Sequence, residues 1–330
     1  MTAVAEPISS LSSPTAISRP PSGFDRLIDR ATRLAAWSFG CGTIFLLAFI
    51  IYEIGLAAMP ALRDNKLSVL LGNTWDSNRN LFGLRAPILG TIYSSLIALV
   101  IASIFGIAIA VFLSQKFLPR KLEILFKNIV ELLAAIPSVV YGLWGIYVVI
   151  PFVRPILNDL SATVGKWFPL LSGHLSGPGM FPAALVLAIM VLPTISAISY
   201  DALLSVNPRI KEAALGLGAT RWEAILRVII PTASTGIFGS VILGFGRALG
   251  ETMALAMLLG NVNVFSVSLL SPGNTLAALI ANNYGEAFGS PEMPVLLLAG
   301  MILMAITLLI NIIGALVIQA ANRRIQGVHK

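Results

Sequence analysis

Two charged residues stand inside an apolar run of this sequence and are the residues best placed to do chemistry. Residues 244–258 read GFGRALGETMALAML, with Arg247 and Glu251 four positions apart. A guanidinium can donate two parallel hydrogen bonds to an oxyanion, and a carboxylate one helical turn away can partly neutralise the empty site. The pair therefore predicts a transient anion-binding site. The alternative is an internal salt bridge that fixes helix packing, with Gly246 and Gly250 at the helix contact.

The composition indicates that a membrane surrounds this pair. The 330 residues are 57% hydrophobic and 11% charged, whereas about 25% of the residues of soluble domains are charged. A hydrocarbon core is crossed by about 20 helical residues. Six stretches are long and apolar enough: 34–58, 86–114, 129–151, 182–200, 233–260 and 294–320. We therefore expect an all-α polytopic membrane protein with six transmembrane helices.

Arg247 falls near the middle of the predicted span 233–260. A charge there costs at least about 2.5–3.5 kcal/mol on insertion scales, so it should face a cavity or a partner rather than lipid. Two other spans place a small hydroxyl residue directly after a proline, which gives Ser138 and Thr194. Proline frees backbone groups, and Ser or Thr can satisfy them or line a polar path. Both residues are predicted to line the pathway, with packing kinks as the alternative.

The basic residues predict the orientation. Fifteen Lys and Arg residues lie in the N-terminal segment, two alternate links and the C-terminus, against six on the other side. The positive-inside rule then places both termini in the cytoplasm. The Ser/Pro-rich residues 1–23 predict a disordered cytoplasmic tail. Residues 24–33 predict an amphipathic helix in the membrane interface, or a simple extension of the first span, 34–58.

Motifs for enzymatic chemistry are missing from the sequence. It contains no G-x-x-x-x-G-K-[ST] phosphate loop and no H-E-x-x-H, and it has only two histidines and one cysteine, Cys41. We therefore expect no catalytic residue, no metal and no cofactor, and any energy from ATP must come from another chain.

The link between the fourth and fifth spans is too patterned for a flexible linker. Residues 207–234 read NPRIKEAALGLGATRWEAILRVIIPTAS. Pro208 suits the first turn of a helix, and two closely spaced glycines follow. The pattern predicts a short helix, a glycine turn and a second helix that ends before Pro231.

The same link carries a signature. It contains EAA, three residues, Gly, nine residues and a closing V-I-I-P at 228–231; the first four signature residues are Glu212, Ala213, Ala214 and Gly218. This spacing resembles the EAA signature of the permease subunits of type I ABC importers. The resemblance implies that residues 207–231, the coupling segment, dock on an ATP-hydrolysing subunit. Small side chains would allow close approach, and Gly218 would turn the chain.

Three further stretches resemble the PstC-type phosphate permeases of that family. They read ELLAAIPSVVYGLWGI (131–146), LAIMVLPTISAIS (187–199) and GRALGETMALAMLLGN (246–261). The resemblance covers residues 86–320, the expected core permease domain with the second to sixth spans. It implies a pathway-forming subunit, itself not an enzyme, of an ATP-driven, high-affinity importer of inorganic phosphate in the bacterial inner membrane.

The resemblance also implies partners. These are a second permease subunit of the PstA type, two ATP-binding subunits of the PstB type, an external phosphate-binding protein of the PstS type, and membrane lipid, with no nucleic acid. Glu251 could then accept a hydrogen bond from the proton of monohydrogen phosphate, which sulfate lacks, and so filter one anion from the other.

Three other functions remain open at this point. The first is a permease for another oxyanion such as molybdate or sulfate. The second is an ion-coupled secondary transporter with Glu251 as its proton site, which would need no EAA segment. The third is a membrane scaffold, a function that does not explain why a charged arginine lies in the middle of a predicted span.

Overall fold

The computed structural model describes residues 23–65, 68–76 and 79–327, and most of them are helical. In chain order the elements are α1 (Gly23–Asn65), α2 (Ser68–Leu71), β1 (Trp75–Asp76), β2 (Leu81–Phe82), α3 (Arg85–Ser114), α4 (Arg120–Ala135), α5 (Ser138–Trp144), α6 (Ile150–Val164), α7 (Met180–Leu204), α8 (Pro208–Gly216), α9 (Arg221–Ala224), α10 (Ile230–Thr232), α11 (Ser234–Leu249), α12 (Met253–Leu258), α13 (Leu276–Asn283) and α14 (Met293–Gly327). Two π-helical turns, Gly145–Val149 and Ile225–Ile229, join α5 to α6 and α9 to α10. The two short strands form an antiparallel pair with Trp75 opposite Phe82.

The N-terminal part of the chain is a compact unit that ends at Glu53 and is described here by itself. The predicted tail lies outside the described residues, except for Gly23, the first residue of α1. Residues 24–33 were predicted as a separate interfacial helix, but they form the first turns of α1 without a break. The reason is that no proline or glycine interrupts residues 24–39. The alternative of a simple extension of the first span is therefore the one observed.

Three of the other predicted spans agree closely with the helices of the second unit. The spans 86–114, 182–200 and 294–320 lie within α3, α7 and α14. Within the described residues, five helices are long and apolar enough to cross a membrane; a bent helix pair, Arg221–Thr232 with Ser234–Leu249, supplies a sixth candidate. The expected number of spans is thus reached only if the bent pair counts as one.

Helix α7 is the centre of the main core, with α3 and α11 packed against it. A Cβ at Gly106 of α3 would lie 3.1 Å from Ile195 of α7, and one at Gly244 of α11 would lie 2.7 Å from the same side chain. Glycines at these positions let both helices approach Ile195 closely. The buried hydroxyls of Ser199 and Ser240 share a hydrogen bond of 2.7 Å between α7 and α11. This packing fixes the height at which α11 crosses α7.

The prediction for the third span, 129–151, is wrong. The chain breaks after α4, and the membrane-length helix runs over Ser138–Val164 instead. Pro137 lacks an N–H and restricts the residue before it to extended backbone, so Ile136 has ψ 128° and ends the helix rather than kinking it. α4 is a separate amphipathic helix without buried residues.

The prediction for the fifth span, 233–260, is also wrong as a single helix. α11 ends at Leu249, three residues break the helical path, and α12 follows at Met253. Gly250 and Thr252, both weak helix formers, flank Glu251 in this break. At its other end α11 meets the helix of the preceding link at a bend of 68°. That link helix runs through Pro231 to Thr232 rather than ending before the proline.

Candidate functional site

Arg247 lies in the last turn of α11, and its side chain is exposed rather than packed in the core. Its Nη1 donates a hydrogen bond of 3.1 Å to Oγ1 of Thr194 in α7. Two predicted pathway residues, 53 positions apart in the sequence, are thus in contact. A guanidinium has five N–H donors. The bond to Thr194 orients the group and leaves donors for a ligand.

Glu251 follows the end of α11 and does not pair with Arg247. No ion pair joins the two within the described part of the chain, which contradicts the predicted internal salt bridge. The predicted one-turn spacing is wrong because the helix ends at Leu249. The Glu251 carboxylate instead accepts a hydrogen bond of 3.4 Å from the backbone N–H of Ala254 in α12. The two charges therefore act as separate groups.

Asn311 of α14 is a polar residue near this site that the sequence analysis missed. A Cβ at Gly246 would lie in ordinary contact, 3.6 Å from Asn311 Oδ1, so the Asn311 side chain lies beside α11 one residue before Arg247. A Cβ at Gly250 would meet only backbone atoms of α11 itself. The predicted pair of glycine contacts thus reduces to Gly246. A lone asparagine in the apolar span 294–320 was the signal that could have found Asn311, because such residues commonly bond across helices.

Tyr141 of α5 was also missed. Its ring is buried, and its hydroxyl donates a hydrogen bond of 2.9 Å to the carbonyl of Leu133 in α4, across the break at Pro137. A tyrosine three positions after Ser138, on the same helix face, was the available signal.

Ser138 is the first residue of α5 and is half-buried. Among the hydrogen bonds of the described residues, none joins it to Arg247, so the structure does not bring it into the Arg247–Thr194 contact. α5 is held against α12 at Gly142, where a Cβ would lie 2.7 Å from Sδ of Met257. Ser138 therefore lies on α5, which packs against α12, the helix that follows Glu251.

The coupling segment has the predicted helix, glycine turn and helix. Asn207 caps α8 by accepting a hydrogen bond of 3.0 Å from the backbone N–H of Arg209. Gly218 has φ +90°, a left-handed conformation that favours glycine, and it reverses the chain after α8. Thr220 and Glu223 then form a reciprocal capping box at the start of α9. Each turn of the segment is thus set by a residue within it.

The signature residues lie on the surface of this segment. Glu212 and Ala213 are exposed, Ala214 is half-buried, and Leu217 beside Gly218 is 90% exposed. An exposed leucine flanked by small residues offers an apolar contact for another protein. The surface therefore has the shape expected of a docking knob.

Two pKa shifts report the local chemistry of the coupling segment. Backbone and side-chain hydrogen bonds from Thr220 lower the pKa of the Glu223 carboxyl below its ordinary value, although desolvation acts in the opposite direction. Desolvation lowers the pKa of the Lys211 ammonium, and the positive charges of Arg221 and Lys116 add to the effect. Three cations thus meet where the coupling segment contacts the loop after α3.

The sequence of this chain matches a known protein family and several named relatives. The family model for the binding-protein-dependent transport system inner membrane component matches residues 102–327. The phosphate transport system permease protein PstC of Mesorhizobium japonicum is 38% identical over 91% of this chain and 91% of its own length. PstC of Haemophilus influenzae is 38% identical over 85% of this chain and 90% of its own. PstC 2 of Mycobacterium tuberculosis is 35% identical over 86% and 89%.

Two solved structures share the fold. The methionine ABC transporter MetNI in an inward-facing conformation matches with a TM-score of 0.53 and 19% identity, over 72% of this chain and 95% of its own. A bacterial alginate ABC transporter in complex with its periplasmic protein matches with a TM-score of 0.57 and 16% identity, over 92% and 97%.

The family model and the PstC relatives identify a transmembrane subunit of an ABC transport system, which assembles with other subunits, and the membrane-length helices and the shared fold agree with this class. The chain belongs to the family of binding-protein-dependent transport system inner membrane components, in the branch of the PstC permeases. It is therefore a multi-pass inner-membrane transport subunit. This membership sets aside the ion-coupled secondary transporter and the membrane scaffold.

Proposed function

We propose that this chain forms the translocation pathway of an ATP-driven importer of inorganic phosphate, with Arg247 as the anion-binding residue. The observation that carries the proposal is an exposed guanidinium that is oriented by Thr194 and not neutralised by Glu251. The names of the relatives at 35–38% identity support phosphate as the anion.

The partners we propose are a PstA-type permease, two PstB-type ATP-binding subunits and a PstS-type external phosphate-binding protein. The coupling segment would dock on the ATP-binding subunit through Glu212, Ala213, Ala214 and Gly218, which places that segment and both termini in the cytoplasm. The excess of Lys and Arg on this side supports the orientation.

The mechanism we propose uses α11 as a lever. The coupling segment passes into α11 at the 68° bend, and Arg247 lies fourteen residues beyond Ala233. At about 1.5 Å per residue that distance is roughly 21 Å, so a tilt of about 6° at the bend displaces Arg247 by roughly 2 Å. A displacement of this size is enough to make or break a hydrogen bond. Movement of the segment would thus switch Arg247 between holding and releasing the anion.

Glu251 supplies selectivity in this proposal. Its carboxylate is separate from Arg247, so it can accept a hydrogen bond from the O–H group of monohydrogen phosphate while the guanidinium holds the other oxygens. Sulfate has no such proton and would face a carboxylate without compensation. Ser138, the half-buried first residue of α5, is proposed to line the pathway with its hydroxyl group.

The experiment is uptake by the complete complex in liposomes. We expect ATP-dependent uptake of labelled phosphate, and Arg247→Gln should reduce it at least about 30-fold because it removes the charge that pairs with the anion. The matched control is Arg154→Gln, since this arginine of α6 donates to the carbonyl of Ser176 instead. Folding and subunit assembly are checked by size-exclusion chromatography for each variant.

Competing sulfate and molybdate complete the test. Neither should be taken up by the wild-type complex, and Glu251→Gln should admit sulfate while keeping phosphate. Preferred uptake of molybdate or sulfate by the wild-type complex would replace phosphate by that oxyanion. Normal phosphate uptake by Arg247→Gln would remove Arg247 from the pathway.

A further inference from the structure

The loop between α3 and α4 is held by both helices of the coupling segment. From α8, Nζ of Lys211 donates a hydrogen bond of 2.7 Å to Oε1 of Gln115, a side chain that is only 4% exposed. From α9, Nη2 of Arg221 donates to the backbone carbonyls of Gln115 and Lys116, the latter over 3.1 Å. Two helices on either side of the Gly218 turn therefore bind the same short stretch of loop.

Aromatic contacts reinforce this attachment. The ring of Phe117 stacks on Trp222 of α9, with centroids 5.3 Å apart, and on Phe112 of α3, with centroids 5.8 Å apart. The guanidinium carbon of Arg221 lies 4.2 Å from the centre of the Phe117 ring. An arginine suits this place because its planar group can stack and donate hydrogen bonds at the same time. We call these contacts, formed by Lys211, Arg221 and Trp222 with Gln115–Phe117, the loop clamp.

The backbone of the loop is strained where the clamp holds it. Lys116 has φ +54°, a left-handed conformation that is uncommon for a residue with a Cβ. Such a conformation persists only where the surroundings fix it. The bond from Arg221 to the Lys116 carbonyl is one of the contacts that fix it. The loop is therefore set by the coupling segment rather than by its own sequence.

The clamped loop leads to the anion site through α4 and α5. Only Leu118 and Pro119 separate Phe117 from α4. Across the break at the end of α4, the hydroxyl of Tyr141 in α5 donates to Leu133 of α4 and so ties the two helices together. α5 in turn packs on α12 at Gly142, where a Cβ would lie 3.4 Å from Cα of Ala254, the residue whose N–H donates to Glu251. A shift of the loop is thus passed through α4 and α5 to the residue that binds the Glu251 carboxylate.

Space at the base of α8 leaves room for such a shift. A cavity of about 420 Å³ lies between α8, the end of α7 and the loop, with Lys211 and Glu212 among its lining residues. α8 therefore contacts the loop through the Lys211–Gln115 hydrogen bond beside an open space rather than through a close-packed core.

We infer that the loop clamp is a second coupling route, and that Arg221 is its positioning residue. This inference rests on the proposed transport function. The coupling segment moves α11 through the continuous backbone at Ala233, and it moves α4 and α5 through the clamp. α11, which carries Arg247, and α5, which packs on the residue that binds Glu251, are then displaced together, so both charged groups of the anion site respond to one movement of the segment.

The test measures the two routes separately in the purified complex. Cys41, the exposed native cysteine, is replaced by serine, and pairs of spin labels are attached through new cysteines. One label replaces Phe288, which is 72% exposed outside the moving helices; the second replaces Leu132 of α4 or Leu243 of α11. Distances are recorded without nucleotide and with a trapped nucleotide on the ATP-binding subunit. In the otherwise wild-type complex both pairs should change distance.

The decisive variants are Arg221→Ala and Arg221→Lys. Lysine keeps the charge but cannot stack and bond to two carbonyls together. In both variants the α11 pair should still respond, whereas the α4 pair should stay at its nucleotide-free distance. Phosphate transported per ATP hydrolysed should fall at least about fivefold. Arg227→Ala is the matched control, because this exposed arginine of the same segment makes no hydrogen bond among those of the described residues; it should behave as wild type.

Three results would overturn the inference. The first is an α4 pair that does not respond to nucleotide in wild type. The second is an α4 pair that responds in both Arg221 variants as it does in wild type. The third is loss of the α11 response or of subunit assembly in the variants, which would make the clamp a scaffold of the segment. The label distances need only nucleotide, so they are read even if the wild-type complex takes up no phosphate. Failure of the proposed function is thereby distinguished from failure of this route.

Discussion

The coupling segment and the neighbourhood of Arg247 lie at opposite ends of α11, and they are held in opposite ways. In the segment, Asn207, Gly218 and the Thr220–Glu223 box set every turn through local contacts. Around Arg247, by contrast, the helices are interrupted. α11 ends at Leu249, α12 begins only at Met253, and α5 begins after the break at Pro137. One side-chain hydrogen bond, to Thr194, orients the guanidinium.

This contrast teaches how movement can be transmitted. A segment whose internal geometry is fixed can move as one body, whereas helix ends have few backbone hydrogen bonds to lose when they shift. The coupling segment is therefore suited to move as a unit when a partner subunit moves, and the interrupted helices around Arg247 are suited to change their contacts with a ligand. Four predictions examine this difference, in order of decreasing effect.

Gly218→Val should have the largest effect, because it breaks the rigid region. Space is open around Gly218, so the cost comes from the φ of +90° and not from a clash. A β-branched residue in that conformation costs on the order of 1–3 kcal/mol. We expect the turn between α8 and α9 to change, with loss of copurification of the ATP-binding subunit and of phosphate uptake.

The matched control for this prediction is Gly216→Ala, two residues earlier. Gly216 is the last residue of α8. A Cβ at this position would meet no atom within 4 Å, and the φ of Gly216 is not positive. Alanine there should be neutral, or stabilise the helix by up to about 1 kcal/mol. Equal copurification by the Gly218→Val and Gly216→Ala complexes would show that the turn is not a fixed element.

Thr194→Val should have a smaller effect, because it loosens a region that is already weakly held. The substitution removes the acceptor of the Arg247 hydrogen bond and keeps the shape of the side chain. The charge that binds the anion remains, so we expect the phosphate concentration for half-maximal uptake to rise roughly three- to tenfold. Thr194→Ser retains the hydroxyl and should restore most of the affinity. A valine variant with wild-type affinity would mean that Thr194 does not orient the guanidinium.

The same contrast explains which parts of the fold could be predicted from sequence. The coupling segment was predictable because its caps and its turn depend on residues a few positions apart. The spans in α3, α7 and α14 were predictable from their length and hydropathy. Arg247, Thr194 and Glu251 were singled out because charged and hydroxyl groups in an apolar run need a reason to be there.

The breaks near the site could not be predicted in this way. Pro137 favours extended backbone at Ile136, but whether that kinks a helix or ends it also depends on packing, here the contacts of Tyr141 with Leu133 and of Gly142 with Met257. The end of α11 at Leu249 likewise removed an Arg247–Glu251 pair that a continuous helix would have formed. Tertiary contacts thus help to determine where the helices within the apolar stretches end, whereas the local sequence determines that these stretches are helical.

The capping box offers the smallest and most local test of the rigid region. Thr220 donates to Glu223 Oε2 from its backbone N–H over 2.9 Å and from its hydroxyl over 2.8 Å. Loss of this cap through Thr220→Ala should cost about 1 kcal/mol, which corresponds to about fivefold faster hydrogen exchange of the α9 amides. The exchange is measured by mass spectrometry on the detergent-solubilised chain, with the amides of α14 as internal reference.

The pH dependence of this cap has a definite sign. Because the hydrogen bonds from Thr220 lower the pKa of the Glu223 carboxyl in the folded segment, the ionised form stabilises the fold above the ordinary glutamate pKa, and this stability is lost as the pH falls through the lowered value. Glu223→Gln keeps an acceptor but cannot titrate. At pH 7 the wild-type amides should exchange more slowly than those of the glutamine variant; the difference should begin to shrink below the ordinary pKa of about 4.3 and vanish below the lowered pKa of the folded segment. A difference that stays constant into that range would mean that the carboxylate charge contributes nothing to the rigidity of the coupling segment.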